Sequence, residues 1–165
     1  MKRTIFLFFS EAQRKRYREG YLWKEWLDKY PQLFDEDDIR IIRTQSIKGY
    51  HFYEWLTAIQ IYNLTGYHCL VEKYEYNKHK RKRDIINKYI ESESFEKIIE
   101  TKNGSRVQLP DLFVFDPDSQ VWFFAEVKGL NDIRREEQDL YFRRIERIIK
   151  KPIIYFEYKI LTINR

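Results

Sequence analysis

The chain reads LPDLFVF at residues 109–115 and VWFFAEVK at residues 121–128, and a turn of sequence DPDSQ separates the two segments. Side chains alternate between the two faces of an extended chain, so these apolar runs predict two neighbouring β-strands. Residues 122–125 are apolar on both faces, which favours a central position in the sheet for the second strand. Glu126 and Lys128 share one face at the end of that strand, where charges are costly to hold near a core. This placement indicates that the two charged residues serve a function.

Asp111 is a third charged residue, and it lies near the start of the first strand. If it lies opposite Glu126, the two carboxylates and the backbone carbonyl of Val127 form an all-oxygen pocket for a hard divalent cation. Lys128 is then free to act on a water molecule or a phosphate. The pattern predicts a metal-dependent phosphodiesterase site. The alternative is that Asp111 only starts a strand, while Glu126 and Lys128 form a surface ion pair on an edge strand.

The composition is that of a folded domain with a basic surface. The chain has 165 residues, of which 43% are hydrophobic, and it contains only five Gly and four Pro, which favours a single packed core over disorder. Its formal net charge of +5 favours a polyanionic partner. A single cysteine, Cys69, excludes an intramolecular disulfide and predicts a buried thiol on a strand in a reducing compartment.

No segment predicts a membrane anchor. The apolar run at residues 5–9 is shorter than the roughly 7–15 residues of a signal core, and no stretch approaches the length of a membrane span. We therefore expect a cytoplasmic protein with no membrane partner. No repeat or linker divides the chain, so residues 1–165 are expected to form one domain.

The order of the elements predicts an α/β fold. Residues 1–9 form a strand or an arm, and a helix over residues 10–29 opens at Ser10 and closes before Pro31. Hydrophobic periodicity then predicts helices over residues 50–64 and 134–150 and strands over residues 67–76 and 152–158. We expect a mixed central β-sheet flanked by helices, with a helical N-terminal extension at residues 1–48 and a core at residues 49–165.

The two motif strands resemble the signature of the PD-(D/E)xK nuclease superfamily. Pro110-Asp111 is followed, after a gap of fourteen residues, by Glu126-Val127-Lys128. The resemblance implies a restriction-endonuclease-like core and phosphodiester cleavage that depends on Mg²⁺ or Mn²⁺.

The residues that follow this motif are similar to the VRR-NUC branch of the same superfamily. Gly129 follows the lysine directly, then come Asp132 and a helix-borne Gln138. The chain departs from the branch at Leu130-Asn131, where the branch usually has Pro-Gly. The resemblance to the superfamily is therefore closer than the resemblance to the branch.

The resemblance implies a role for each charged residue. Asp111 and Glu126 bind the divalent cation with help from the Val127 carbonyl. Lys128 positions or deprotonates the attacking water and stabilises charge on the phosphoryl group. Glu54, on a helix upstream, ligates a second cation or holds a metal-bound water, with a solvated helix glutamate as the alternative.

Three further residues lie near the motif, and each has an expected role. Gln138 lies at the start of the apolar stripe of its helix, so its amide is expected to contact Lys128, the water or a phosphate. Asp132 is expected to cap the N-terminus of that helix. His51 lies three residues before Glu54 on the same helix face, and we expect an ordinary, partly buried histidine, with a histidine that reaches the site as the alternative. The three histidines of the chain show no metal-ligand spacing, so no zinc site is expected.

Two basic segments predict contacts with nucleic acid. The run at residues 78–83 would act as a phosphate clamp that gives sequence-independent, salt-sensitive affinity, with a solvated loop as the alternative. Two arginines add positive charge beside the motif, although neighbouring glutamates offer them local partners. The expected contact residues are Lys78, Lys80, Arg81, Lys82, Arg83, Arg134 and Arg135.

We therefore expect a metal-dependent DNA endonuclease in which a metal-activated water attacks the phosphodiester. Within this class, a restriction-type enzyme and a junction-cleaving or structure-specific enzyme both stay open, as does RNA as a substrate. Because one site cuts one strand, a homodimer is a natural arrangement. The rival interpretation is a non-catalytic nucleic-acid-binding or interaction module that retains the nuclease fold.

Overall fold

The computed structural model describes residues 3–102 and 104–162 of the chain. Five strands form one mixed sheet, with helices on both of its faces, in an arrangement consistent with a restriction-endonuclease-like core. In chain order the strands are β1 (Arg3–Phe9), β2 (His68–Val71), β3 (Leu112–Phe115), β4 (Trp122–Lys128) and β5 (Ile154–Ile160).

The strands lie side by side in the order β1-β5-β4-β3-β2. β1 pairs with β5, and β5 with β4, in parallel. β4 pairs with β3, and β3 with β2, in antiparallel fashion. β4 is thus the central strand, as its apolar residues on both faces predicted. The motif strands are direct neighbours, with Leu112 paired with Ala125.

Seven α-helices cover the sheet in the described part of the chain. They are α1 (Glu11–Arg18), α2 (Tyr21–Lys29), α3 (Glu36–Gln45), α4 (Phe52–Thr65), α5 (Lys80–Tyr89), α6 (Ser92–Glu100) and α7 (Glu136–Ile149). The single helix predicted over residues 10–29 is two helices, because Gly20 takes a left-handed φ of 86° that interrupts the helical backbone. The helix predicted over residues 50–64 is α4, and Gly66 ends it with a φ of 76°.

The N-terminal segment is mostly helical, and its first strand extends the sheet. Of the two alternatives for residues 1–9, the structure has a strand over Arg3–Phe9, while residues 1 and 2 lie outside the described residues. β1 pairs along its whole length with β5, from Arg3 opposite Ile154 to Phe9 opposite Ile160. The start of α1 is fixed by a capping box in which Ser10 and Gln13 exchange hydrogen bonds.

The core has two parts, one on each face of the sheet. Ala125 and Val127 of β4 face a cluster formed largely by α1–α4, and Phe124 faces a cluster formed largely by α5–α7. Cys69 is buried on β2, as predicted for a strand thiol. No helix among residues 3–102 and 104–162 combines the length and the apolar character that crossing a bilayer would require.

Three boundaries differ from the sequence prediction near the motif. The strand predicted over residues 67–76 ends at Val71, because Glu72 and Lys73 take left-handed φ angles of 51° and 56°. The last helix begins at Glu136 rather than at residue 134, and the last strand spans Ile154–Ile160 rather than residues 152–158.

Candidate metal and phosphate site

The structure places the carboxylates of Asp111 and Glu126 opposite each other at the end of the two motif strands. The Asp111 N–H donates to Oε2 of Glu126 at 3.2 Å, and the Val127 N–H donates to Oδ2 of Asp111 at 2.9 Å. Each carboxylate is therefore braced by backbone from the other strand. Within a strand, the N–H and C=O of one residue point to the same side, so the Val127 carbonyl also faces Asp111.

Lys128 and Gln138 complete a compact group around Glu126. The Lys128 Nζ donates to Oε1 of Glu126 at 2.7 Å and to Oε1 of Gln138 at 3.1 Å. The Gln138 Nε2 donates to the same Glu126 oxygen at 3.0 Å. The first turn of α7 thus holds the lysine over the end of β4, in the contact that the sequence predicted for Gln138. Glu126 is only 2% exposed, so these charge-assisted bonds form in a place where they are strong.

This group opens onto a cleft of about 550 Å³. Glu54 from the first turn of α4 lines the cleft, and so do Asn131, Asp132 and Ile133 of the loop that leads into α7. Two exposed arginines, Arg106 and Arg135, lie at the cleft with Gln108 and Asn131. The lining therefore mixes the acidic side chains of Glu54, Asp111, Glu126, Asp132 and Glu137 with the basic side chains of Arg106, Lys128 and Arg135.

Three carboxyl groups of the cleft, those of Glu54, Asp111 and Glu126, have raised pKa values. Burial, followed by repulsion from Glu126 and Glu54, raises the pKa of Asp111 well above its ordinary value. Burial also raises the pKa of Glu126, against the opposing effect of Lys128. Burial and the nearby Glu72 raise the pKa of Glu54 to about 7. A divalent cation bound among these oxygens would offset their repulsion, so the residues present fit such an ion.

Glu72 joins the site although the sequence did not single it out. It follows β2 directly, and its N–H donates to the Asp111 carbonyl at 2.9 Å. Oε2 of Glu72 lies 3.1 Å from Nδ1 of His51, at the start of α4. His51, Glu54 and Glu72 each place one donor atom within 4.8 Å of the others. The histidine is thus part of a group of potential metal ligands rather than an isolated one.

The loop after β4 is shaped by Gly129 and Asp132. Oδ2 of Asp132 accepts from the Gly129 N–H at 2.7 Å and closes a tight turn. Asp132 does not cap α7 as predicted, because the cap position belongs to Arg135, three residues later. A Cβ at Gly129 would lie 2.4 Å from the ring of Tyr53, so only glycine allows the loop to approach α4 this closely.

The basic run at residues 78–83 is largely paired with acidic residues. Lys82 is 1% exposed, and its Nζ donates to Oδ1 of Asp38 at 2.7 Å and to the Val71 carbonyl at 3.1 Å. A lysine in this position is inaccessible to a phosphate, so Lys82 is a structural residue and not part of a clamp. The run begins α5 and lies against the acidic start of α3.

The other predicted nucleic-acid contacts vary in their availability. Four of them form ion pairs: Lys80 with Asp84, Arg81 with Asp35, Arg83 with Glu96 and Arg134 with Glu157. Lys78 and Arg135 are exposed and form no ion pair with another residue of the described ranges. Of the predicted set, Arg135 is the one that lines the cleft.

Comparison with protein-family models gives no match. Comparison with curated proteins gives none either. Among solved structures, the chain is similar to a crystal structure of paFAN1 bound to DNA with a 2-nt 5′ flap and a gap, with 27% sequence identity and a TM-score of 0.35. The similarity covers 43% of this chain and 13% of that one, so it is a local resemblance.

Proposed function

We propose that this protein is a metal-dependent nuclease that hydrolyses phosphodiester bonds in DNA as an endonuclease. The observation that carries the proposal is the meeting of Asp111, Glu126 and Lys128 at the base of an open cleft. A binding module would not need the buried Glu126 carboxylate, the partly buried Asp111 carboxylate and an ammonium at one point, since holding such charges away from water is costly.

Asp111 and Glu126 would hold Mg²⁺ or Mn²⁺, together with the Val127 carbonyl and with Glu54 of α4. Such an ion, when bound, supplies positive charge to a phosphate and lowers the pKa of a water molecule. The donor set is all oxygen, which suits these hard cations. The bonds from the Asp111 and Val127 N–H groups hold the two carboxylates in place before any ligand arrives.

Lys128 would act on the phosphate or on the attacking water. Its Nζ is held between Glu126 and Gln138, so the ammonium is oriented without being removed from the cleft that it lines. In that position it can orient a water for in-line attack and offset the negative charge that develops on the phosphoryl oxygens. Gln138 would keep the ammonium directed into the cleft.

DNA would approach the cleft along the side chains of Arg106 and Arg135. Arg106 and Arg135 are exposed there, and phosphates are attracted to such side chains without regard to sequence. We include Lys78, Lys80, Arg81, Arg83 and Arg134 as weaker contacts, since most of them already have acidic partners. The basic net charge of +5 favours the same partner.

The test is Lys128→Ala assayed on supercoiled plasmid and on branched DNA in Mg²⁺ or Mn²⁺, with Lys97→Ala on the exposed face of α6 as the matched control. We expect the Lys128 variant to lose about a hundredfold or more in rate and the control to keep the wild-type rate. Nicking of a closed circle would identify endonuclease action. Full activity of Lys128→Ala would overturn the proposed site.

A further inference from the structure

A second group of potential ligands lies behind Glu54. It consists of one ring nitrogen of His51 and one carboxylate oxygen each from Glu54 and Glu72, all within 4.8 Å of one another. Metal–ligand bonds of about 2.0 to 2.4 Å place the donors of one ion at most about 4.8 Å apart. The three side chains can therefore bind one ion with little movement.

The histidine is already oriented as a metal ligand would be. Its Nε2 lies 2.8 Å from Oε1 of Gln45, and an amide oxygen only accepts, so Nε2 carries a proton. Nδ1 then faces Oε2 of Glu72 at 3.1 Å. A bare nitrogen lone pair directed at a carboxylate is repulsive, so Nδ1 needs a proton or a cation there. Ligating histidines usually donate their other N–H to an oxygen in this way, which fixes the tautomer.

Glu72 is held from both sides of its backbone. Its N–H donates to the Asp111 carbonyl at 2.9 Å, and its own carbonyl accepts from the buried Lys82 Nζ at 3.3 Å. The ligand is thereby fixed relative to both the cleft and α5. Lys73 contributes a positive charge near His51 that opposes a cation, but two carboxylates outweigh it.

We propose that His51, Glu54 and Glu72 form a second cation site that takes a transition-metal ion, and that Glu54 lies between this ion and the one at Asp111 and Glu126. An imidazole nitrogen in the ligand set favours Mn²⁺ or Zn²⁺ over Mg²⁺. The site goes beyond the proposed nuclease activity, because its ligands would bind the ion whether or not the chain cuts DNA.

The test is a titration of the full chain with Mn²⁺, followed by electron paramagnetic resonance, without DNA. We expect two bound ions in the wild type, with a ¹⁴N hyperfine coupling from the His51 ring. His51→Gln should lose that coupling and lower the affinity for one of the two ions by about tenfold or more. Asp111→Asn should lower the affinity for the other ion and keep the coupling. Gln45→Ala should lower the affinity for the nitrogen-coupled ion by about tenfold, because it removes the acceptor that orients the ring.

A wild-type spectrum without nitrogen coupling, or a His51→Gln protein that still binds two ions with unchanged affinity, would overturn the site. Circular dichroism and thermal melting of each variant in EDTA identify a folding defect. If His51→Gln unfolds, the wild-type spectrum alone decides, because the coupling is measured on the intact protein. If the wild type cuts no DNA while the nitrogen coupling persists, the proposed function fails and the second cation site stands.

Discussion

Two regions of the molecule collect charged residues, and they differ in how those charges are matched. In the first, which we term the α3–α5 contact, Asp35, Asp37 and Asp38 at the start of α3 pair with Arg81, His79 and Lys82 at the start of α5. In the second, the cleft and the histidine group behind it, the carboxylates of Glu54, Glu72, Asp111 and Glu126 lie near Lys128 and His51, and Arg106 and Arg135 line the same cleft.

The difference separates a structural charge cluster from the proposed catalytic one. Every acid of the α3–α5 contact has a basic partner, and the buried Lys82 also bonds to the backbone that leads to Glu72. Burial raises the pKa of Asp38, and the Lys82 ammonium acts in the opposite direction. The residues that line the cleft include five carboxylates and three basic side chains, so part of its negative charge has no matching positive charge, which is expected where a cation binds.

The largest stability effect is expected from breaking the buried pair of the α3–α5 contact. Lys82→Met leaves the Asp38 carboxylate buried without its partner and should cost about 3–5 kcal/mol in the free energy of unfolding. Guanidinium denaturation at pH 7 measures it. Lys80→Met, an exposed position on the same helix, should change stability by less than about 0.5 kcal/mol. Equal losses in the two variants would show that the buried pair has no special role.

A divalent ion should stabilise the protein through the cleft. At an ion concentration about 100 times the dissociation constant, the gain is about 2.7 kcal/mol. The gain should be larger at pH 8 than at pH 5.5, since the carboxyl groups of raised pKa bind protons at the lower pH and must release them to bind the ion. Thermal melting in Mn²⁺ and in EDTA at both pH values tests this. A Mn²⁺-induced rise in melting temperature that is equal at the two pH values would contradict this expectation. The same rise in Asp111→Asn as in the wild type would also contradict it.

Without metal, removing one cleft carboxylate should stabilise the protein. The folded-state pKa of Glu54 is about 7, above its ordinary 4.5, so the folded state holds the proton more tightly than the unfolded state. Stability from this source is present below about pH 4.5 and is lost as the pH rises through 7. Glu54→Gln in EDTA should therefore gain about 1–2 kcal/mol at pH 8 and nothing at pH 4.5.

The matched control for this measurement is Glu100→Gln, an exposed position at the end of α6. Its stability should follow that of the wild type at both pH values. Destabilisation by Glu54→Gln at pH 8 would mean that its carboxylate is favourably paired, and the cleft would then resemble the α3–α5 contact.

The smallest effect concerns DNA affinity. Arg135→Ala at the rim of the cleft should weaken binding by about threefold to tenfold and reduce the salt slope by about one. Lys80→Ala should change DNA affinity by less than about twofold, because the Lys80 ammonium of the wild type already pairs with Asp84 at 2.5 Å. Fluorescence anisotropy with labelled duplex in EDTA, at several salt concentrations, compares them. A larger loss from Lys80→Ala would restore the basic run as the main DNA contact.

The sequence predicted the parts of the site that depend on local geometry. The alternation of side chains placed Glu126 and Lys128 on one face of a central strand, and helical spacing directed Gln138 toward them. These relations depend on the period of each element, which a single sequence reveals.

The sequence could not predict the relations that depend on distant segments. Lys82 looks solvated in a basic run, but its partner Asp38 lies 44 residues away and both are buried. Glu72 lies in a segment whose alternating polar and apolar residues predicted a strand. The left-handed backbone at Glu72 and Lys73 ends the strand and directs Glu72 toward the site. The partners of both residues are set by the packing of α3, α4 and β2, and no local pattern records that packing.

The most direct test of the account is the initial rate of cleavage of supercoiled plasmid and of labelled junction, flapped and single-stranded DNA by the wild type and by Asp111→Asn. We expect the wild type to cut at least one of these substrates in Mg²⁺ or Mn²⁺ and none in EDTA. We expect Asp111→Asn to be slower by about a hundredfold or more. Cleavage by the wild type in EDTA, or an unchanged rate in Asp111→Asn, would contradict the claim that the cleft is a metal-dependent nuclease site.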